Sequence, residues 1–312
     1  MDFKKLRIIF MGTPEFAVAS LQALHEAGCD IVGVVTAPDK PAGRGLQLQQ
    51  SAVKLYATQH GLRVLQPEKL KDPEFLKILA ELKADLQIVV AFRMLPEVVW
   101  SMPPMGTVNV HGSLLPQYRG AAPINWAIIN GETYTGVTTF RLKHEIDTGN
   151  ILMQEKIAID ESDHAGSLHD KMKDVGARLL LKTLQGLAND TLKEIPQNNL
   201  VVANEPIHHA PKIHTNTCSI NWNEPGKKII QQIRGLSPYP TAFTFLDGKR
   251  LKIFAANFES NPNWEGAAGT WETDQKKILK YRCSDGWIQL NDIQLEGKKR
   301  MKTEDFLRGF KP

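Results

Sequence analysis

Short apolar runs separated by helical patterns dominate the first half of the chain and restrict the folds open to it. The runs cover residues 6–11, 31–36, 62–65 and 86–91. An apolar run without alternation is typical of a parallel strand buried on both faces, and the segments between the runs supply the helical crossovers that parallel strands need. We therefore predict an α/β fold with a doubly wound, mainly parallel, Rossmann-like sheet, which binds ligands beyond the carboxyl ends of its strands.

The sequence pattern changes near residue 189. Residues 165–188 carry one long helical apolar stripe, whereas the following stretch is rich in Asn, Gln and Pro and has no sustained period. Beyond it, short strand-like runs are separated by Asp-Gly turn signals. We predict a catalytic domain of residues 1–189, a linker of residues 190–207 and a small β-barrel domain, OB-like, of residues 208–312.

The first strand ends in a loop that could be mistaken for a nucleotide site. Residues 11–16 follow a strand and open a helix, which we expect Thr13 to cap. The loop lacks the second and third glycines of the dinucleotide fingerprint, and Pro14 removes a backbone donor. A nucleotide cofactor is therefore disfavoured.

Charge and cysteine content restrict the partners and the compartment. The net charge is +4, but residues from 211 onward hold 17 Lys and Arg against 11 Asp and Glu. A basic, aromatic-containing C-terminal third is typical of an RNA-binding module, although a surplus of this size also arises by chance. The sequence has no apolar run of about 18 residues, so we expect no membrane span. Three scattered cysteines predict reduced thiols in a cytoplasm.

The candidate catalytic residues are Asn109, His111 and Asp147. Side chains alternate along a strand, so Asn109 and His111 are expected to share one face of the strand that ends at residue 111. An amide that donates to an oxyanion, beside an imidazole that moves protons, suits acyl transfer to an amine, and Asp147 would orient the imidazole. A metal site is the alternative, but further ligands at a recognisable spacing are missing, so we expect no metal.

Two other segments carry cations that a large anionic substrate could contact. Residues 38–45 form a Gly- and Pro-rich stretch at the carboxyl end of the second predicted strand, and Lys40 and Arg44 within it are candidate phosphate contacts. The alternative is an ordinary solvated loop. The sequence leaves two roles for Arg119: it either binds an anionic part of the substrate or is an ordinary surface cation at the start of a helix.

These motifs, in this order and spacing, resemble the methionyl-tRNA formyltransferases, which are folate-dependent formyltransferases. The resemblance implies 10-formyltetrahydrofolate as the co-substrate and initiator methionyl-tRNA as the acceptor, and a cytoplasmic, monomeric enzyme. It makes Asn109, His111 and Asp147 catalytic, and Lys40 and Arg44 part of a tRNA-binding loop. It also implies a folate-binding loop of four residues: Ser113, Leu114, Leu115 and Pro116.

The resemblance has two departures and leaves three alternatives. Arg93 stands where the family usually has glycine in a loop of its pterin pocket, and residues 143–146 replace a Gly-containing acidic segment before Asp147. The alternatives are a formyltransferase for an amino-sugar nucleotide, a hydrolase of formyl-folate, and a tRNA-binding protein with an idle catalytic domain. The loop around Lys40 and the complete set of catalytic candidates argue for the tRNA enzyme.

Overall fold

The computed structural model describes residues 2–42, 47–202, 205–261 and 266–310. The chain folds into two compact units, each made of three segments. Unit 1 comprises Met1–Arg119, Gly136–Ile157 and His169–His209, and unit 2 comprises Gly120–Thr135, Ala158–Leu168 and Ala210–Pro312. The units divide the chain at other positions than the domain boundaries predicted from the sequence, because stretches of the predicted N-terminal domain pack in unit 2.

Strands and helices alternate along much of the described chain, and strands predominate toward its end. The strands are β1 (Arg7–Gly12), β2 (Asp30–Val35), β3 (Lys40–Ala42), β4 (Gln47–Gln49), β5 (Val64–Leu65), β6 (Leu86–Val90), β7 (Thr107–His111), β8 (Arg119–Gly120), β9 (Tyr134–Arg141), β10 (Ile151–Ala158), β11 (His209–Ala210), β12 (Ala242–Leu246), β13 (Lys249–Ser260), β14 (Trp271–Thr273), β15 (Leu279–Cys283), β16 (Gly286–Leu295) and β17 (Met301–Lys302). The helices are α1 (Glu15–Glu26), α2 (Ala52–Gln59), α3 (Pro73–Glu81), α4 (Glu97–Trp100), α5 (Pro123–Ile129), α6 (Ala165–Ala188), α7 (Thr215–Cys218), α8 (Gly226–Leu236) and α9 (Thr303–Leu307), with 3₁₀ turns at Phe3–Lys5 and Gln197–Leu200.

Unit 1 is built on a sheet with the hydrogen-bonded order β10-β9-β7-β6-β1-β2-β5. The strands from β5 to β7 pair in parallel, and β9 pairs antiparallel with β7. From β1 the chain builds the sheet outward through β2 and β5, and it then crosses back to add β6 and β7 on the opposite side of β1. The direction in which strands are added therefore reverses at β1. Ligands of such sheets bind beyond the carboxyl ends of the strands near that reversal. The predicted mainly parallel, Rossmann-like sheet is confirmed.

Burial on both faces explains why the strands are continuous apolar runs. Every residue of β1 after Arg7 is buried, as is every residue of β6. On one side, Ile9 and Val89 pack against Phe75 and Leu79 of α3. Each such side chain contributes about 1.5–3 kcal/mol when it leaves water, so this packing fixes the strands from which the site projects.

The start of α1 differs from the prediction. Pro14 occupies the capping position with an extended backbone, and its helix has no side-chain cap hydrogen bond. The expectation that Thr13 caps the helix was therefore wrong. The reason is that helical geometry begins one residue later, at Glu15, because Pro14 still has a ψ of 176°.

The stretch predicted to be a Gly- and Pro-rich loop begins and ends in paired strands. β3 pairs antiparallel with β4, with Lys40 opposite Gln49. The base of this stretch is therefore a short ribbon, because backbone groups on its two sides satisfy one another. Arg44 lies outside the described residues.

Unit 2 contains an antiparallel sheet with the order β12-β13-β16-β15-β14, and β17 pairs with β16. This open path is the half-barrel form of the small β-module predicted from the sequence. Its core includes a parallel stack of Trp222 on Tyr281, with ring centroids 4.7 Å apart. The indole N–H of Trp222 donates to the Thr244 hydroxyl at 2.9 Å, so the buried polar group is satisfied.

Close packing on α8 explains why unit 2 includes earlier parts of the chain. A side chain at Gly235 would crowd Ile129 of α5, and Asn125 donates a hydrogen bond to the Gly235 carbonyl at 2.8 Å. The Arg234 guanidinium donates to the carbonyls of Asp160 and Asp163 at 2.8 and 2.7 Å. Burial lowers the pKa of Arg234. This arginine of the basic C-terminal third is therefore engaged within its own unit.

The three cysteines are free thiols. Burial raises the pKa of Cys29, Cys218 and Cys283, to about 11 for Cys29. A thiol with a raised pKa stays protonated near neutral pH and is a poor nucleophile. Within the described residues, none of the helices combines the length and apolar character that crossing a bilayer requires.

A matched pair of leucine truncations tests the assigned core. Leu24 in α1 is 0% exposed, whereas Leu55 in α2 is 55% exposed. We expect Leu24→Ala to lower the free energy of unfolding by about 2–5 kcal/mol, and Leu55→Ala to change it by no more than about 0.5 kcal/mol. Urea-induced unfolding followed by circular dichroism measures both, and equal losses in the two variants would contradict the assignment of α1 to the core.

Candidate active site

Strand β7 carries the first two candidate residues to the carboxyl edge of the sheet. Val108 and Val110 are buried, and Asn109 is partly exposed between them, as the alternation of a strand requires. His111 is the last residue of β7 and pairs with Thr138 of β9, while Asn109 pairs with Phe140. Asn109 and His111 therefore share one face of a strand that is fixed by neighbours on both sides.

The imidazole of His111 has one nitrogen already engaged. Nε2 lies 2.9 Å from the carbonyl oxygen of Tyr118. A carbonyl oxygen only accepts hydrogen bonds, so Nε2 must carry a hydrogen and donate it. Nδ1 is therefore the ring atom at which a proton can be gained or lost.

Asp147 faces that second nitrogen. Its Oδ2 lies 3.8 Å from Nδ1 of His111, and the side chains are 13% and 7% exposed. The separation is too long for a hydrogen bond but short for two charges. Both side chains are largely buried, so salt screens the carboxylate from the ring much less than it would on the surface. The structure thus brings His111 and Asp147 together as the sequence predicted.

The turn that presents Asp147 is conformationally unusual. Asp147 has a φ of 53°, in the left-handed region, where a residue other than glycine costs about 1–3 kcal/mol. Thr148 donates its hydroxyl to the Glu145 carbonyl at 3.0 Å. A side chain at position 149 would overlap the Arg141 carbonyl, so only glycine fits there. These contacts explain the Asp-Thr-Gly sequence of the turn.

Gln197 is a residue at this turn that the sequence did not single out. Its Nε2 donates to the carbonyls of Asp147 and Gly149 at 2.7 and 2.8 Å, and its Oε1 accepts from Nε and Nη2 of Arg119 at 2.9 and 2.6 Å. Arg119, whose role the sequence did not decide, thus donates hydrogen bonds to a buried amide. Gln197 lies in the stretch predicted to be a linker, where neither periodicity nor a motif marked it.

The proposed folate loop is held rigidly by its own neighbours. The buried Ser113 donates its hydroxyl to the Gln117 carbonyl at 2.6 Å. The backbone N–H of Leu115 donates to Thr138, and its carbonyl accepts from Gln154. The side chains of Leu115 and Pro116 are buried, and Leu114 is partly buried. The loop is therefore a fixed surface, and Leu114 has the most accessible side chain of its four residues.

Arg93, the departure from the family pattern, joins two loops at the carboxyl edge of the sheet. Its guanidinium donates to the carbonyls of Pro67 and Glu68. The loop that it stabilises follows β6 and exposes the side chain of Met94, and the loop before Asp147 exposes Ile146. Met94 and Ile146 are thus accessible apolar side chains on the loops that follow β6 and β9.

Of the proposed tRNA contacts, Lys40 is exposed at the start of β3. The preceding Asp39 accepts hydrogen bonds from Lys54 and Gln66, and these bonds hold the pKa of its carboxyl below the usual value. Gln66 also donates to the Ala37 carbonyl at 2.8 Å. The segment that leads into Lys40 is therefore anchored, while the Lys40 side chain remains available to solvent.

Among the described residues, potential metal ligands are dispersed rather than clustered. In the parts of the chain that the structure describes, His, Cys, Asp and Glu side chains form no group of three or more that could hold an ion. The histidines at 208, 209 and 214 are not gathered into such a group.

Comparison with known proteins agrees with this geometry. The model of the family described as formyl transferase matches residues 4–184, and that of the formyl transferase C-terminal domain matches residues 212–311. Methionyl-tRNA formyltransferases from Bacteroides fragilis and Parabacteroides distasonis are 53% and 54% identical, and the matches cover 99% and 100% of this chain and 97% and 98% of theirs.

A solved structure shares the fold at lower sequence identity. It is an N-formyltransferase from Helicobacter canadensis in complex with folinic acid and dTDP-3-aminofucose. It has a TM-score of 0.68 and 22% identity, and the match covers 91% of this chain and 98% of that protein. Family models over both parts of the chain and full-length relatives above 50% identity establish membership: this chain belongs to the formyl transferase family.

Proposed function

We propose that this chain transfers the formyl group of 10-formyltetrahydrofolate to the α-amino group of methionyl initiator tRNA. The observation that carries the proposal is identity above 50% over the whole chain with proteins named methionyl-tRNA formyltransferase. The juxtaposition of His111 and Asp147 at the carboxyl edge of the sheet supports it, because a family name alone does not supply a reaction site.

The reaction requires charge stabilisation and one proton transfer. The neutral methionyl amine attacks the formyl carbon, a carbon–nitrogen bond forms, and the bond from that carbon to N10 of the folate breaks. The amine loses a proton, and N10 gains one. Negative charge develops on the formyl oxygen between these events, so donors aimed at that oxygen accelerate the reaction.

Each candidate side chain has one role in this scheme. Asn109 donates its amide N–H to the developing oxyanion. His111 uses Nδ1, because Nε2 is committed to Tyr118. The Asp147 carboxylate, 3.8 Å from Nδ1, stabilises the imidazolium that forms during the reaction, and the imidazolium in turn stabilises the oxyanion. We propose that the loop of residues 113–116 carries the folate, supported by its rigid hydrogen bonding and by the folinic acid named for the structural relative.

The acceptor is proposed to be held by the basic side chains. Lys40 and Arg44 would contact phosphates of the tRNA, and residues 208–312 would hold the tRNA body. Support comes from the 17 Lys and Arg beyond residue 210 and from the exposure of Lys227, Lys249 and Lys298. A nearby excess of positive charge attracts a polyanion and makes the binding salt-dependent.

The acceptor itself is the first property to test. Purified protein is supplied with 10-formyltetrahydrofolate and, in separate reactions, radiolabelled initiator Met-tRNA, elongator Met-tRNA and a dTDP-amino sugar. We expect formylation of initiator Met-tRNA with a kcat/KM in the usual enzymatic range of about 10⁴–10⁸ M⁻¹s⁻¹ and far lower values for the others. Efficient use of the sugar nucleotide instead would reject the proposal, and release of free formate would identify a hydrolase.

The role of Asn109 is tested by truncation. We expect Asn109→Ala to lower kcat by about 10²–10³-fold, because one oxyanion donor is lost. Asn199→Ala removes an exposed amide of the same unit and is expected to leave kcat unchanged. Single-turnover formyl transfer measures both. Near-normal turnover in Asn109→Ala would remove this residue from the oxyanion site.

The role of Lys40 is tested with salt. We expect Lys40→Ala to raise the KM for tRNA, to leave the KM for the folate unchanged, and to reduce the slope of log kcat/KM against log salt by about one. Lys77→Ala, which removes an exposed cation of α3, is the control. A proportional loss for both substrates would exclude Lys40 from tRNA binding.

A further inference from the structure

We infer that Gln197 is a positioning residue, which holds the Asp147 turn so that the carboxylate is directed at Nδ1 of His111. The inference rests on the proposed function for the catalytic importance of Asp147. The hydrogen bonds of the Gln197 side chain go to two backbone carbonyls and to Arg119. Gln197 acts through the backbone of the turn that carries Asp147.

The donor side of Gln197 is fully committed to that turn. Its side-chain amide nitrogen has two hydrogens, and the two acceptors are the carbonyls of Asp147 and Gly149 at 2.7 and 2.8 Å. The carbonyl of Thr148 lies between these two in the sequence. Gln197 is 3% exposed, so water does not compete for these bonds. One buried side chain therefore fixes both ends of the left-handed turn.

The acceptor side of Gln197 is fixed by Arg119. Its Oε1 accepts from Nε and Nη2 of Arg119 at 2.9 and 2.6 Å. If the amide were turned over, its N–H groups would face guanidinium N–H groups and its oxygen would face two carbonyl oxygens. Both arrangements are repulsive, so Arg119 dictates that the donors of Gln197 point at the turn.

Other residues of the predicted linker, residues 190–207, bind the strand ends on either side of the turn. Glu194 accepts from Arg141 at 2.7 Å and from Asn150 at 3.0 Å, and Ile195 exchanges backbone hydrogen bonds with Ile151 at 2.9 Å. These contacts hold the strand ends before and after the turn. Gln197 differs from them because it bonds the carbonyl of Asp147 itself.

The need for such a residue follows from the backbone of Asp147. Left-handed residues other than glycine persist only where the surroundings hold them. Glycine would relieve the strain but would remove the carboxylate. Without the two bonds from Gln197, the turn can relax toward ordinary φ values, and the carboxylate then leaves its position 3.8 Å from His111.

The inference is tested first without substrate, by hydrogen–deuterium exchange and mass spectrometry of the peptide spanning residues 143–152. We compare Gln197→Met, which removes donors and acceptor, with Gln197→Glu, which keeps an acceptor for Arg119 and removes both donors. We expect exchange in this peptide about tenfold faster or more in both variants. Asn198→Met, an exposed neighbour, is expected to exchange like the unmodified protein. Unchanged protection of residues 143–152 in the two Gln197 variants would overturn the inference.

The second test separates positioning from general support of the fold. We expect Gln197→Glu to lower kcat by about 10- to 100-fold and to leave both KM values within about twofold, because a displaced carboxylate affects the reaction rather than binding. In an Asp147→Asn background, the same substitution should lower kcat no further, since the group it positions is already gone. Additive losses would refute a role through Asp147. If the unmodified protein transfers no formyl group, the proposed function fails, while the exchange experiment still decides whether Gln197 holds the turn.

Discussion

The hydrogen bond from His111 Nε2 to the Tyr118 carbonyl determines the chemistry available to this site. It fixes the ring orientation, and it leaves Nδ1 as the nitrogen available for the proton transfer that we propose. Tyr118 is itself held in place, since it is buried with a φ of 60°, its N–H donates to the His208 carbonyl at 2.7 Å, and its ring stacks on that of His208. A shift of the Tyr118 backbone would therefore change the orientation of the His111 ring directly, through this hydrogen bond.

Much of the fold was predictable because the responsible patterns are local. The apolar runs of the parallel strands, the stripe of α6 over residues 165–188 and the alternation in β7 each depend on the spacing of neighbouring residues. Two-residue periodicity alone assigned Asn109 and His111 to one face. The cap of α1 was missed because the extended backbone of Pro14 delays the helix by one residue, which Thr13 does not reveal.

The supports of the site were not predictable in the same way. Gln197 reaches the Asp147 turn across 50 positions of sequence, and Arg119 reaches Gln197 across 78. Both residues are polar, and polar residues in an aperiodic stretch indicate a solvated connection. Burial reverses that expectation, because a buried amide must find partners for all of its donors and acceptors. Such partners are a property of the tertiary structure, and no local pattern encodes them.

The distance between His111 and Asp147 has a chemical consequence of its own. A carboxylate at hydrogen-bond distance would bind the Nδ1 proton and direct it away from a substrate. At 3.8 Å, in the mechanism we propose, the carboxylate contributes its charge and the Nδ1 proton can still face the developing oxyanion. That spacing is set by a strained turn rather than by contact between the two side chains. The residues that hold the turn therefore control how strongly the carboxylate acts on the imidazole, and a site of this kind depends on buried backbone contacts as much as on its candidate catalytic side chains.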